Sequence, residues 1–224
     1  MIVHCYSSHK SSNPDTQRRQ LVAEMTWVKQ PWQTVPVEDS HLPRLFPEHT
    51  VRLPYVKDLF NTGSDKLSDA DILVFTNSDI CVANNCCLRI AEAMQLNDAT
   101  YAFRRDFYHA LREPLPDRDI EKGVHYPGSD LFAFRVGWWR AYRDAYPDMV
   151  FAREAWDCTL RVLIEQTCPN KPVSLPDLIY HERHANGWEA SNLRYTLAGQ
   201  KHNLGLARGF LVQRGFKPSE FGVK

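Results

Sequence analysis

The chain is poor in the features that most directly announce a function. Its six cysteines, Cys5, Cys81, Cys86, Cys87, Cys158 and Cys168, form no CxxC pair, which argues against a thiolate zinc site and for reduced thiols. With 27 Lys/Arg against 27 Asp/Glu, formal net charge is zero, so no global field draws the protein to nucleic acid or to an anionic membrane. No run approaches the roughly 18 apolar residues of a membrane span. The opening MIVHCYSSHK lacks the basic lead and long apolar stretch of a secretory signal, and the expected location is cytoplasmic. GxGxxG, Walker A and GxSxG patterns are missing, so neither a glycine-rich phosphate cradle nor a nucleophile elbow is expected.

What is present is an ordinary globular composition, 43% hydrophobic and 24% charged, over 224 residues. That length suits one domain with a modest elaboration. The order of elements is more telling. Ile2 to Tyr6 reads as a strand, and a polar turn through Ser12 follows it. Asn13-Pro14 looks like a helix cap with proline at the first helical position. Leu21, Met25 and Val28 supply the i, i+4, i+7 spacing of a buried helix face. Thr34 to Val37 is a second short strand. Tyr55 to Leu67 is a helix with a break expected at Asn61-Thr62-Gly63. Asp71 to Val82, DILVFTNSDICV, carries a strand apolar on both faces. A helix capped at Asn84 or Asn85 follows, with Cys87, Ile90, Ala91 and Met94 on one face and at most one of Cys86 and Cys87 turned to the core.

Strand and helix alternate three times in the first hundred residues, which predicts an α/β fold with a mostly parallel sheet flanked by helices. The second half is more mixed. Strands are expected over Thr100 to Phe103, Leu131 to Phe134 and Val173 to Tyr180, and a helix from near Glu154. A charged, proline-containing loop is expected from Asp106 to Val124. Residues 1–195 are expected to form one domain in two halves, 1–100 and 101–195. Residues 196–224 form a mildly basic tail lying on or beside it.

Three polar clusters abut apolar elements. Asn77-Ser78-Asp79 ends the most apolar strand, at the sheet edge where α/β proteins collect ligands. Asn77 and Asp79, two apart, can converge on one object: a hard cation with one carboxylate and a neighbouring amide, or no more than an Asx turn capping the next helix. Gly128-Ser129-Asp130 precedes Leu131, either as a plain turn or with Asp130 orienting an acceptor hydroxyl. Trp156-Asp157 opens a helix, where Asp157 is a dipole-stabilised first-turn acid, an i+4 partner for Arg161, or a general base beside an aromatic platform. His181-Glu182-Arg183-His184 lacks zincin spacing, because its histidines stand three apart, and leaves His181 as a single candidate ligand. Trp138, Trp139, Trp156 and Trp188 fit either a carbohydrate-binding face or core packing.

In this order, the Ser-rich first-strand turn, DILVFTNSDI, YPGSDLFAF, FAREAWD and IYHERH resemble the GT-A class of nucleotide-sugar glycosyltransferases over roughly residues 1–190. DILVFTNSDI is similar to that class's DXD segment, with Asn77 in place of the first acidic residue. The resemblance implies transfer of a sugar from a UDP- or GDP-sugar to a glycan, small-molecule or polymer acceptor, assisted by Mn²⁺ or Mg²⁺. It places Tyr6, Ser7, Ser8, Lys57, Asn61, Asn77, Ser78 and Asp79 at the donor, and Asp79 with His181 at the ion. Asp130 and Trp156 fall at the acceptor, and Asp157 with Asp130 at the chemistry. A non-catalytic nucleotide- or glycan-binding module and a nucleotidyltransferase are the alternatives.

Overall fold

In the computed structural model, which describes residues 1–8, 13–48, 51–170, 173–184 and 197–223, the chain is an α/β fold built on one seven-stranded sheet. The chain order is β1 (Ile2–Ser7), α1 (Pro14–Trp27), β2 (Gln33–Val37), β3 (Leu45–Glu48), β4 (Val51–Pro54), α2 (Val56–Ser64), β5 (Ile72–Thr76), β6 (Cys81–Val82) and α3 (Cys86–Ala93). Then follow β7 (Ala99–Phe107), α4 (Asp117–Ile120), β8 (Val124–Arg135), α5 (Val136–Tyr142), α6 (Trp156–Thr167), β9 (Ile179–Glu182) and α7 (Ala198–Gln213). Strands line up as β2-β1-β5-β8-β7-β9-β6, while β3 and β4 form a separate hairpin.

The sheet is mixed rather than mostly parallel. β1 pairs in parallel with β2 and β5, and β7 with β9, but β8 runs antiparallel to both β5 and β7, and β6 to β9. Helical crossovers enforce the parallel half. β8 reverses because α4 and short loops, not a full crossover, connect it to β7. Its antiparallel run has a functional consequence, since the first half of β8 comes to lie beside the end of β5.

The apolar run of β5 is explained by the layers above and below it. Leu73 and Phe75 point into a core shared with α2, α5, α6 and α7, while Ile72 and Val74 point into a second core under α1 and α3. Each fully buried side chain of this size contributes about 1.5–3 kcal/mol of transfer free energy.

Several local expectations are corrected. On α1, Asn13 caps as expected, accepting from the Asp15 and Thr16 amides. Its buried face, however, is Val22, Ala23, Thr26 and Trp27, whereas Leu21 is 58% and Val28 78% exposed and Met25 is exposed as well. Hydrogen bonds to the backbone at and before β6 set this rotation. Trp27 donates to the Ile80 carbonyl (2.9 Å), and the Thr26 hydroxyl accepts from the Val82 amide (3.0 Å). α2 continues through Asn61, Thr62 and Gly63 without a break. Gly63 there allows close approach to β1, because a Cβ would stand 2.9 Å from Cys5 Sγ. Both Cys86 and Cys87 are buried.

Later in the chain, Tyr126 to Asp130 is not a turn but the first half of β8, and Val173 to Leu178 is no ladder strand but is bridged to Tyr101 at Ser174. β7 extends through Phe107 into the segment expected as a loop. His181 and Glu182 belong to β9 instead of following it. Residues 197–223 pack on the domain through α7. Ala207, Phe210 and Leu211 of α7, at i, i+3 and i+4, enter the core, and Asn203 grips Val150 by accepting from its amide and donating to its carbonyl. Trp138 and Trp139 are buried in the aromatic cluster around Phe134. Residues 9–12 of the first turn, and Trp188, lie outside the described residues.

Candidate functional site

A cleft of about 780 Å³ opens at the carboxyl ends of β1 and β5. That is the size of a substrate pocket, and it sits where parallel strands release the chain into loops. Ser7, Asn77, Ser78 and Asp79 reach it from those strand ends, Asp130 from β8, Trp156 and Asp157 from α6, and His181 with His184 from the end of β9. Four residues expected at the donor lie elsewhere. Tyr6 packs on Trp27, Ser8 donates its amide to the Val37 carbonyl, Lys57 pairs with Asp148 (3.2 Å), and Asn61 accepts from the indole of Trp139 (2.9 Å). A helical residue at the start of α2 faces the core or the far side of the sheet, a direction that spacing alone does not reveal.

At the cleft floor, Asp79 Oδ2 lies 3.4 Å from His181 Nε2 and 3.1 Å from His184 Nε2. One ligand atom from each of the three residues falls within a 4.8 Å span. Burial alone would raise the Asp79 pKa, but hydrogen bonds to the two histidines outweigh it and hold the carboxyl well below the usual range. Burial likewise pushes His181 down, and its bonds to Asp106 and Asp79 more than reverse that, leaving it above the ordinary histidine value. His181 Nδ1 lies 3.2 Å from Asp106 Oδ1, which orients the ring. The donor set fits a divalent cation: one carboxylate and two imidazoles at coordination spacing, with the supporting carboxylate common behind ligating histidines.

Behind this trio runs a chain of hydrogen bonds. Arg104 Nε donates to Asp106 Oδ1 (2.8 Å) and Arg104 Nη1 to Asp130 Oδ2 (2.9 Å). Asn77 Nδ2 donates to the other oxygen, Asp130 Oδ1 (2.7 Å), so both Asp130 oxygens are engaged. The Arg104 guanidinium also lies 3.8 Å from the Tyr126 ring centre. Because Asp130 can only accept, it fixes the Asn77 amide with Oδ1 turned away, and that buried oxygen has no hydrogen-bond partner among the described residues.

Asp157 differs. It sits in the first turn of α6 and accepts from the Ser129 amide at 3.2 Å. Burial, then the nearby Asp130 charge, raises its pKa despite the helix terminus. Arg161, the expected i+4 partner, turns instead towards Glu165 (3.9 Å) and the Pro127 carbonyl. α6 is entered through Ala155 at φ 72°, and Ala152 at φ 60° precedes it; both line the cleft. Left-handed backbone at alanine carries a steric cost, and it is located where α6 presents Asp157. The Trp156 ring is packed against Phe75, Phe132 and Phe151 and is largely core.

The sequence reading missed His184, Asp106 and Arg104. The pair Arg104 and Asp106 left a legible trace: two opposite charges at i and i+2 put on one face of an otherwise apolar strand. His184 left none, because its approach to Asp79 depends on how the chain leaves β9. Compared with known proteins, the chain matches no family model and no curated protein.

Proposed function

We propose that this protein is a metal-assisted glycosyltransferase that moves a sugar from a nucleoside-diphosphate donor to an acceptor hydroxyl. One observation carries the reading: a cation-ligating trio, Asp79, His181 and His184, shares a single cleft with a desolvated carboxylate of raised pKa, Asp157. The donor's diphosphate would lie towards Asp79, beyond the ends of β1 and β5. A divalent ion, Mn²⁺ or Mg²⁺, held by the trio would neutralise charge on the departing diphosphate.

The protein's own groups divide the remaining work. Asp157 takes the proton from the acceptor hydroxyl as its oxygen bonds to the anomeric carbon and the bond to the diphosphate breaks, so the reaction inverts that centre. Its raised basicity favours proton capture. Asp130, with both oxygens occupied, holds Arg104 and Asn77 in place.

Calorimetric titration with a panel of UDP- and GDP-sugars, with and without Mn²⁺, tests the reading. Saturable, metal-strengthened binding and release of a nucleoside diphosphate are expected. Pyrophosphate release would identify a nucleotidyltransferase instead, binding without turnover a non-catalytic module, and failure of every nucleotide to bind would remove the proposal.

A further inference from the structure

Phe151 to Ala155 lines the cleft just ahead of α6 as a turn with no helix or ladder of its own. Backbone polar groups in such a stretch need partners from elsewhere in the fold, and α7 supplies them. Asn203 Oδ1 accepts from the Val150 amide (2.7 Å), while Asn203 Nδ2 donates to the carbonyls of Val150 (2.8 Å) and Glu154 (3.0 Å). Gln200 Oε1 accepts from the Glu154 amide (3.0 Å). Both side chains are fully buried, and their i, i+3 spacing puts them on one face of the helix. Two side-chain amides thus hold both backbone groups of Val150 and both of Glu154. Between and just beyond these holds the backbone turns left-handed, at Ala152 (φ 60°) and Ala155 (φ 72°). Alanine keeps that conformation only where its surroundings impose it.

Stability alone does not explain Gln200. Its Nε2 is buried with no hydrogen-bond partner among the described residues, a cost that an apolar side chain of similar length would not carry. An apolar side chain could not, however, hold Glu154, the residue before Ala155. We infer that Gln200 and Asn203 are positioning residues of the cleft: they clamp Val150 and Glu154, impose the left-handed turn, and so set the direction in which α6 presents Asp157. Tyr146 completes the hold by donating its hydroxyl to the Trp156 carbonyl (2.9 Å). The C-terminal helix, far in sequence from every polar cluster of the cleft, thereby becomes part of its working parts. The inference rests on the proposed role of Asp157 as the base, but the geometry it claims is read without turnover.

The test compares the full chain with Gln200→Met, Gln200→Glu and Asn203→Asp. Met matches Gln in length and lacks the acceptor, whereas Glu keeps an oxygen for the Glu154 amide. Asp keeps the acceptor for Val150 and loses both donations. The Asp157 carboxyl is followed through its titration by carbon-13 NMR, assigned as the signal that Asp157→Asn removes. In Gln200→Met its midpoint should fall by about half a pH unit or more, towards the ordinary carboxylate value. The Glu154 amide should exchange about tenfold faster, while circular dichroism shows an unfolding transition close to the parent's. Gln200→Glu should return both readings to the parent's. In a product-release assay Gln200→Met should lower kcat by about tenfold to a hundredfold at unchanged donor KM. Asn203→Asp should move the midpoint further, and if it fails to fold, Gln200→Met decides alone. A folded Gln200→Met whose Asp157 titrates as in the parent would overturn the inference. Absence of transfer in the parent would remove the glycosyltransferase reading and leave the carboxyl titration to decide the positioning role.

Discussion

Glu48, beneath α7, and Asp79, on the cleft floor, are both carboxylates drawn out of solvent, and their surroundings treat them oppositely. Glu48 is 2% exposed; one of its oxygens accepts from two nitrogens of Arg153, and the other accepts from the Gly199 amide at 2.6 Å. Gly199 is required there, since a Cβ would stand 2.7 Å from that oxygen. Charge and lone pairs are matched, and the cluster ties the β3–β4 hairpin to the C-terminal helix. Asp79 instead faces two imidazoles, one of them already committed to Asp106, at the floor of a cleft. Asp157, half-buried in the same cleft, differs from both: it accepts from the Ser129 amide, and burial and the Asp130 charge push its pKa up. A saturated ionic cluster is a fastening. Carboxylates that line a cleft with imidazoles beside them are placed to meet a ligand.

The strongest way to break this contrast is Asp157→Asn. We expect transfer to fall about 10³-fold in a product-release assay, with donor affinity little changed. The same substitution should stabilise the fold at pH 7 by about 1 kcal/mol in urea denaturation, because it removes a buried charge. The sign follows from the raised folded-state pKa: the parent carboxyl is favoured when protonated, so its penalty grows as pH rises and the variant's advantage vanishes in acid. A destabilised Asn variant would place Asp157 among the fastenings.

Glu48→Gln should do the opposite. Leaving Arg153 uncompensated should cost about 3–5 kcal/mol of stability by the same denaturation measurement, while Mn²⁺ affinity in the folded protein stays at the parent value. Asp79→Asn completes the exchange, with Mn²⁺ affinity falling roughly 100-fold in calorimetry. Both substitutions acting on stability alone would abolish the distinction. Asp106→Asn should weaken Mn²⁺ by about tenfold, since it loosens the His181 ring without removing a ligand.

The smallest effect concerns an intermediate case. Glu182 takes both terminal nitrogens of Arg18 at 2.7 and 2.6 Å and the Leu111 amide at 2.7 Å, fastening α1 to β9. Burial opposes ionisation, but these donors win and lower its pKa. Its contribution is therefore present above the ordinary glutamate value near about 4.3 and is lost as pH falls through the lower folded-state value. Melting temperatures of Glu182→Gln and the parent should converge in acid and diverge towards neutrality.

Much of this was legible in one dimension. The apolar run of β5 broken by Asn77-Ser78-Asp79 marked both the central strand and the sheet edge, because hydrophobic burial and the exclusion of unpaired carboxylates are local rules. The Asn13-Pro14 cap, and Asp157 in the first turn of its helix, were likewise written in adjacent residues. The rotation of α1 was not. A Trp and a Thr that bond to distant backbone overrode the face that hydropathy spacing favours. Lys57 and Asn61 were misplaced for a similar reason, since the side of the sheet a helix covers depends on the whole packing.

The sequence by itself determined the alternation of strand and helix, the polar strand end and the kinds of side chain available for chemistry, since each follows from neighbours along the chain. Only the tertiary structure decided that β8 reverses, that Asp130 is spent on Asn77 and Arg104, and that His184 joins Asp79 across 105 residues. Those contacts depend on strand order and on where loops re-enter the cleft. Both are fixed by the sum of weak packing energies over the whole fold, which no short stretch of residues encodes.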